Sequence, residues 1–326
     1  MVNISDPAFR IRHQTRCLFI GSCFTETIGE RMVRFKFPAL YNPFGVLYNP
    51  ASISKGLRIL MLERQFTGGD LLFHNGLWLS LNHDTSFSNP DKEQCLAGIN
   101  ASMDSARSFL KQCRFLFITL GTAWVYVYKE TGDIVANCHK IPAAAFERKL
   151  LETGDILKDY QHLIEDMHLY NPDIQIIFTV SPIRHLKDGA FNNQVSKSVL
   201  LLTIHKLQDM HRNIHYFPAY EIFMDELRDY RFYADDMLHP SGQGIAYIWD
   251  RFCNTYLDES SIKIMADVEK IHKALTHRPF QPDSSGYKSF IEDTLQQVKQ
   301  LQKTYPDLDF NAEIKKLTEK TTEYQE

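Results

Sequence analysis

The sequence predicts an α/β protein built on a parallel sheet covered by helices on both faces. Short apolar runs alternate with longer stretches of helical periodicity, which is the pattern of repeated βα units. Two of those runs, FLFITL at 115–120 and IQIIFTV at 174–180, are apolar almost throughout, as strands buried on both faces are. A chain of 326 residues with 44% hydrophobic and 12% aromatic content can fill the large core that such a sheet needs.

The first strand is read at Cys17–Ile20, where CLFI stops at Gly21 and a serine and a cysteine follow at once. Further strands are read at Phe115–Leu120, Ile174–Val180 and Ile214–Phe217, with helices at about 24–36, 51–65, 91–112, 143–170 and 194–212. Asn171-Pro172 ends the fourth of these helices, because a residue before proline is pushed out of the α region. A last helix starts at Ser241-Gly-Gln-Gly and runs to about Tyr256. Two segments break the alternation. Asp70–Phe87 carries Asn75-Gly76 between apolar runs, a hairpin signal, and Trp124–Asn137 repeats it with Thr131-Gly132-Asp133. Both are expected to arch over an edge of the sheet.

After residue 257 the composition turns to lysine- and glutamine-rich helix, punctuated by Pro279, Pro282 and Pro306, with the last dozen residues frayed. The chain therefore divides into a main domain, 1–256, and a helical appendage, 257–326. Ile291, Leu295, Val298 and Leu301 recur at three- and four-residue spacing, so one face of the appendage buries against something. Either the main domain's flank or a second copy of the chain fits, which leaves oligomerisation through the C-terminal helices open.

Composition excludes several functions. A formal charge of -4 and a pI near 6.4 lack the basic footprint of a nucleic-acid partner. No apolar stretch approaches the length of a membrane span. The start, MVNISDPAFRIRHQTR, lacks the apolar core of a secretory signal, so a cytoplasmic protein is expected. Six scattered cysteines without a C-x-x-C pair argue against disulfides, and without H-E-x-x-H or paired-cysteine spacing no metal and no cofactor is expected.

Ligands of an open parallel sheet bind outside the carboxyl ends of its strands. Gly21-Ser22-Cys23, Gly121-Thr122-Ala123-Trp124 and Ser181-Pro182 each follow a strand and so share one rim. Asp235-Asp236-Met237-Leu238-His239-Pro240 follows the last strand and overhangs that rim. An Asp three residues before a His sets a carboxylate against the imidazole, fixing its tautomer and supporting the cation that forms. Taken singly, Ser22 reads as a helix N-cap, although Thr25 supplies no capping box. Taken jointly, Ser22, Asp236 and His239 make a nucleophile, its partner and its base. Successive residues leaving a strand point in different directions, so only one of Ser22 and Cys23 can face that base. His83 and His139 each follow a hairpin strand and are candidate substrate contacts. Arg184-His185 stands on the rim, suited to an anionic group, and Trp78 and Trp124 offer flat walls.

FIGSCFTETIG, with Phe44-Gly45-Val46 downstream and SLNHDTSFS, NCHKIP, SPIRHLKDG and DDMLHPS further on, resembles the GSCFA family within the SGNH or GDSL-type hydrolase superfamily; Thr25 stands where the family's name has Ala. The resemblance covers much of residues 16–255. It implies a flavodoxin-like three-layer α/β/α sandwich with strand order 2-1-3-4-5, Ser22 as nucleophile, His239 as base and Asp236 as its partner; with Ser22 in that role, Cys23 is expected to pack beneath the first helix. It also implies an oxyanion hole from the amides of Ser22 and Gly45. The Asn that the superfamily usually places after the third strand is missing from Gly121-Thr122-Ala123-Trp124, and either Thr122 or a residue of the inserted hairpins is the candidate replacement. Two functions are therefore expected of such a chain. One is a serine esterase or acyltransferase acting on a small-molecule or carbohydrate O-acyl ester; the other is a binding module that keeps the fold without turnover.

Overall fold

The computed structural model describes residues 1–277, 280–281 and 284–323; Pro279, Pro282 and residues 324–326 lie outside them. The fold is the predicted one. Strands β1 (Cys17–Gly21), β2 (Ala39–Tyr41), β5 (Phe115–Leu120), β9 (Gln175–Val180) and β10 (Ile214–Tyr216) form a parallel sheet in the order β2-β1-β5-β9-β10. Counted along the chain, that order is 2-1-3-4-5.

Alternation along each strand feeds two cores. Leu18 and Ile20 of β1, Leu116 and Ile118 of β5 and Ile176 and Phe178 of β9 pack beneath α2 (Pro50–Met61), α3 (Lys92–Gln112), α4 (Thr153–Tyr170) and α5 (Gly189–Met210). Cys17, Phe19, Phe115, Phe117 and Ile177 face the other way, onto α1 (Cys23–Arg34) and α7 (Gly242–Tyr256). With both faces covered, a strand needs apolar residues at every position, which explains the unbroken runs.

The two hairpins differ in their use. The first, β3 (Leu72–His74) and β4 (Leu77–Leu79), turns at Asn75-Gly76 and packs beside α3. In the second, β6 (Trp124–Tyr128) pairs with β7 (Ile134–Val135) and also with β8 (Phe146–Leu150). The helix expected from residue 143 is therefore wrong at its start. Phe146-Glu-Arg-Lys-Leu150 alternates between buried and exposed positions and supplies a third strand, and α4 begins only at Thr153. After β10 a helical turn, α6 (Ala219–Glu221), runs into a π-helical turn at Ile222–Glu226.

The C-terminal segment forms α8 (Glu259–Thr276), α9 (Ser285–Thr304) and α10 (Asn311–Glu323), so of the last dozen residues those up to Glu323 are helical. Ile291 and Val298 are buried in the same core as α1 and α7, so the apolar stripe is covered by the chain itself. Ion pairs Arg34–Glu269 (2.8 Å) and Lys36–Glu313 (2.6 Å) join this segment to the end of α1. Among the described residues no helix is long and apolar enough to cross a membrane.

Two contacts set the carboxyl rim of the sheet. Gly21, at φ +146°, lies so close to β5 that a Cβ there would meet the Thr119 carbonyl oxygen at 2.2 Å. Further along, the fully buried Lys197 of α5 donates from Nζ to the carbonyls of Gly121 (2.8 Å) and Ser181 (2.7 Å), pinning the ends of β5 and β9 together.

Each contact yields a test. Gly21→Ala forces a side chain into backbone and into a disfavoured φ, and should cost roughly 3 kcal/mol or more in urea unfolding. Burial, reinforced by the charge of Arg184, pushes Lys197 down to about 7. Unfolded lysine holds its proton to about pH 10.4. Between those values the unfolded chain binds more protons, so stability should rise with pH across that window, whereas below about pH 7 the full cost of burying the charge is carried. The stability difference between wild type and Lys197→Met should therefore change steadily in the wild type's favour from pH 7 to 9.5. A difference that stays flat would show that Nζ keeps its proton in the fold.

Candidate active site

The break after CLFI has a local cause. Gly21 ends β1 against Thr119, its amide donates to Asn42 Oδ1 (2.9 Å), and the chain turns so that Ser22 becomes the residue before α1. Ser22 has the backbone of an N-cap (φ -71°, ψ 177°), but its hydroxyl makes no capping bond. Helices α2, α3, α7, α8 and α9 all begin on a side chain that does cap: Asn49, Asp91, Ser241, Asp258 and Ser284. Ser22 is 1% exposed and its Oγ has no hydrogen-bond partner among the described residues. A buried hydroxyl without a partner is uncommon enough to need a reason.

Ser22 lies in the wall of a cavity of about 610 Å³ at the sheet's carboxyl rim, where β1 and β5 feed helices on opposite faces. That crevice is where open α/β sheets bind ligands. Its wall also includes Cys23, Tyr48, Thr122, Trp124, Tyr126, Arg148, the 183–187 loop and His239. The β6–β8 sheet thus borders it, and the β3–β4 hairpin does not.

His239 sits on a tightly built loop. Asp236 Oδ1 accepts the amides of Leu238 (2.9 Å) and His239 (2.9 Å), and Oδ2 accepts from His239 Nδ1 at 2.5 Å. The amides of His239 and Leu238, then the His239 ring, hold the Asp236 carboxyl down to about 2. An ionised carboxylate can only accept, so Nδ1 carries the proton and a neutral His239 has its lone pair on Nε2. Ala234 N donates to His239 O (2.8 Å) and Ser241 N to Phe232 O (2.8 Å), closing the loop onto the start of α7. Ser22 and His239 line the same cavity, but no hydrogen bond joins them.

The predicted oxyanion groups are engaged elsewhere. The Ser22 amide donates to Thr119 O (3.2 Å) and the Gly45 amide to Asn42 O (2.8 Å). Gly45 is a turn residue at φ +74°, and a Cβ there would strike the Asp84 carboxylate, whose Oδ2 accepts the Val46 amide (3.0 Å). Thr122 does line the cavity, but its oxygen accepts the Trp124 amide (3.1 Å) and meets Ser196 Oγ at 3.0 Å. The amide of Cys23, first in α1, has no intrahelical acceptor and lies at the helix's positive end.

Other expectations are corrected. Cys23 is half-buried against the core that α1 covers, as expected, but it also belongs to the cavity wall, its Sγ 3.3 Å from the Tyr48 hydroxyl. His83 is fully buried among Phe44, Phe66 and Phe87, its Nδ1 at 3.0 Å from Ser80 Oγ, and burial holds it down to about 3. His139 Nε2 lies at 2.9 Å from Ser80 O and 3.0 Å from His83 O. Both histidines fasten loops behind the site and neither lines the cavity. Trp78 stays on the first hairpin beneath Lys92, whereas Trp124 and Arg184 do face the cavity.

Sequence reading missed Lys197 and gave His185 too small a part. The ring of His185 stands edge-on to Tyr48, with a buried Nε2 that has no partner among the described residues. Burial first, then the Lys197 charge, holds it down to about 4, so it is neutral. Lys197 was legible in principle: Asn193, Lys197, Leu200, Ile204 and Leu207 fall on one helical face, and a lysine on the buried face needs a partner.

Residues 268–323 match the C-terminal domain of GSCFA domain proteins. No curated protein matches the sequence. Among matching solved structures, an acetyl xylan esterase (Est2A) from the rumen bacterium Butyrivibrio proteoclasticus aligns with 76% of this chain at 13% identity and a TM-score of 0.29. The alignment covers 65% of that enzyme, so the chain spans less than two thirds of its length. Residues 16–252, which carry the sheet, the cavity and the Asp236–His239 loop, match the GSCFA family, and the protein belongs to that family.

Proposed function

We propose that the protein is a serine-dependent ester hydrolase or acyltransferase of the SGNH type, acting on O-acyl esters, with carbohydrate esters a fitting class. One observation carries the reading: the Ser22 hydroxyl, buried and unpartnered at the start of α1, stands in the wall of a cavity that also presents His239 backed by Asp236. In the cycle His239 Nε2 takes the Ser22 proton as Oγ attacks the ester carbonyl. The developing oxyanion is met by the Cys23 amide at the positive end of α1. His239 then protonates the departing alcohol, and water or a second alcohol releases the acyl group by the reverse steps. Closing the gap between Oγ and Nε2 falls to the 233–241 loop, as catalytic hydrogen bonds commonly tighten only when substrate is bound. Trp124 and Tyr126 supply flat walls of the kind that carry sugar rings. All of these groups come before residue 256, so the same proposal makes 257–326 an appendage without a catalytic group.

A binding module without turnover is the second reading. It is favoured by the engaged amides of Ser22 and Gly45, since loss of one oxyanion donor typically costs on the order of 10²–10³ in rate.

A fluorophosphonate probe should label Ser22 in the wild type, and Ser22→Ala should lose both labelling and p-nitrophenyl ester turnover, the latter by about 10³-fold or more. Labelling that persists in Ser22→Ala, or activity lost instead to a thiol reagent at Cys23, would reject the assignment. Asp236 stays ionised at every pH above about 4, so its carboxylate contributes no limb to the rate profile above that pH. Asp236→Asn should lower kcat by roughly 10²-fold or more with little change in KM.

A further inference from the structure

We infer that the ester bound in this cavity carries an anionic group, a carboxylate or a phosphate, on the part lying between β6 and the 184–187 loop; the inference extends the ester reading above. Four side chains of the cavity wall bear fixed positive charge, Lys140, Arg148, Arg184 and Lys187, and no described residue of the wall is a carboxylate. In a chain with 40 Asp and Glu against 36 Lys and Arg, that is a local inversion of charge.

Among the described residues, a carboxylate compensates just one of the four. Arg148 forms a two-bond pair with Asp188 just outside the wall, Nε to Oδ1 at 2.6 Å and Nη2 to Oδ2, and lies over the Tyr126 ring at 4.4 Å. Arg184 reaches a thioether, Met224 Sδ at 3.0 Å, rather than a carboxylate. Lys187 Nζ donates to the Tyr126 hydroxyl (2.7 Å) and stands 5.1 Å from that ring, beside the already paired Arg148. Lys140 has no ion pair with any described residue. Three exposed positive charges of the wall therefore have no ion-pair partner among the described residues. An ordinary surface lysine swings freely in water, but Lys187 is held in place on Tyr126. Holding it there reduces the entropy lost when an anion binds, and a concave wall of one sign focuses its field on the opening. Lys140, Arg184 and Lys187 are exposed whereas Ser22 is buried, so the anion belongs to an outer portion of the substrate rather than to the scissile ester.

The test measures binding and does not depend on turnover. Phenyl phosphate, phenylacetate and neutral benzyl alcohol would be titrated into the full-length protein, with Kd read by calorimetry at 20 and 300 mM NaCl. A Lys140→Gln/Arg184→Gln/Lys187→Gln variant would be titrated in parallel. The anions should bind at least about fivefold more tightly than benzyl alcohol at low salt, and the advantage should shrink at 300 mM as screening shortens the field. The triple variant should lose the advantage while its affinity for the alcohol is unchanged. Binding of either anion supports the proposal, and the tighter of the two names the charged group. If neither anion outbinds the alcohol, or the variant binds them equally well, the proposal is overturned. Absence of ester turnover in the wild type would count against Ser22 as nucleophile and leave this result readable.

Discussion

The whole carboxyl rim depends on the close approach of Gly21 to the Thr119 carbonyl. Parallel pairing aligns β1 with β5 through Gly21 and Thr119, and any side chain at 21 would push the strands apart. The absence of a Cβ lets the chain leave the sheet in one residue. Ser22 is consequently delivered to the rim in extended geometry, with its amide still bonded to β5 and its side chain free. The same bond that positions Ser22 also removes its amide from any role in binding an oxyanion. Positioning and donation compete for one hydrogen, and positioning takes it.

A second layer of fastening holds the rim from behind. The Tyr48 carbonyl accepts the amides of Gly121 and Thr122, and Lys197 Nζ donates to the carbonyls of Gly121 and Ser181. Loops following three strands are thereby tied at one point by polar contacts inside an apolar core, where such contacts are strong and costly to break. That layer leaves His185 neutral at the cavity's edge, its Nε2 without a partner among the described residues.

Much of the fold could be read from the residues, because a doubly covered strand leaves an unmistakable run. FLFITL and IQIIFTV could hardly be anything else in a chain with this alternation. β8 was hidden because FERKL follows three alanines and runs into LLETGDILK, so its local preference reads as helix and only pairing with WVYVY makes it a strand. At the site, Asp236 and His239 are close in sequence and their contact was foreseeable. Whether Gly45 and Ser22 had spare amides depended on partners at Asn42 and Thr119, the second nearly a hundred residues away in the chain, and periodicity carries no such information. His83 and His139 misled for the same reason: a histidine after a strand looks the same whether it opens to a ligand or closes a loop.

The two halves of the site are anchored in materials of different tolerance. Ser22 is set by a ladder register, and a one-residue change in β1 or β5 would turn its side chain to the opposite face. The Asp236–His239 pair rides on a half-exposed surface loop that closes on itself through its own carboxylate. Surface loops accept insertions and deletions that strands do not. A change in the length of chain between β10 and α7 would therefore alter what the cavity admits at little structural cost, whereas the glycine–serine junction has no such slack.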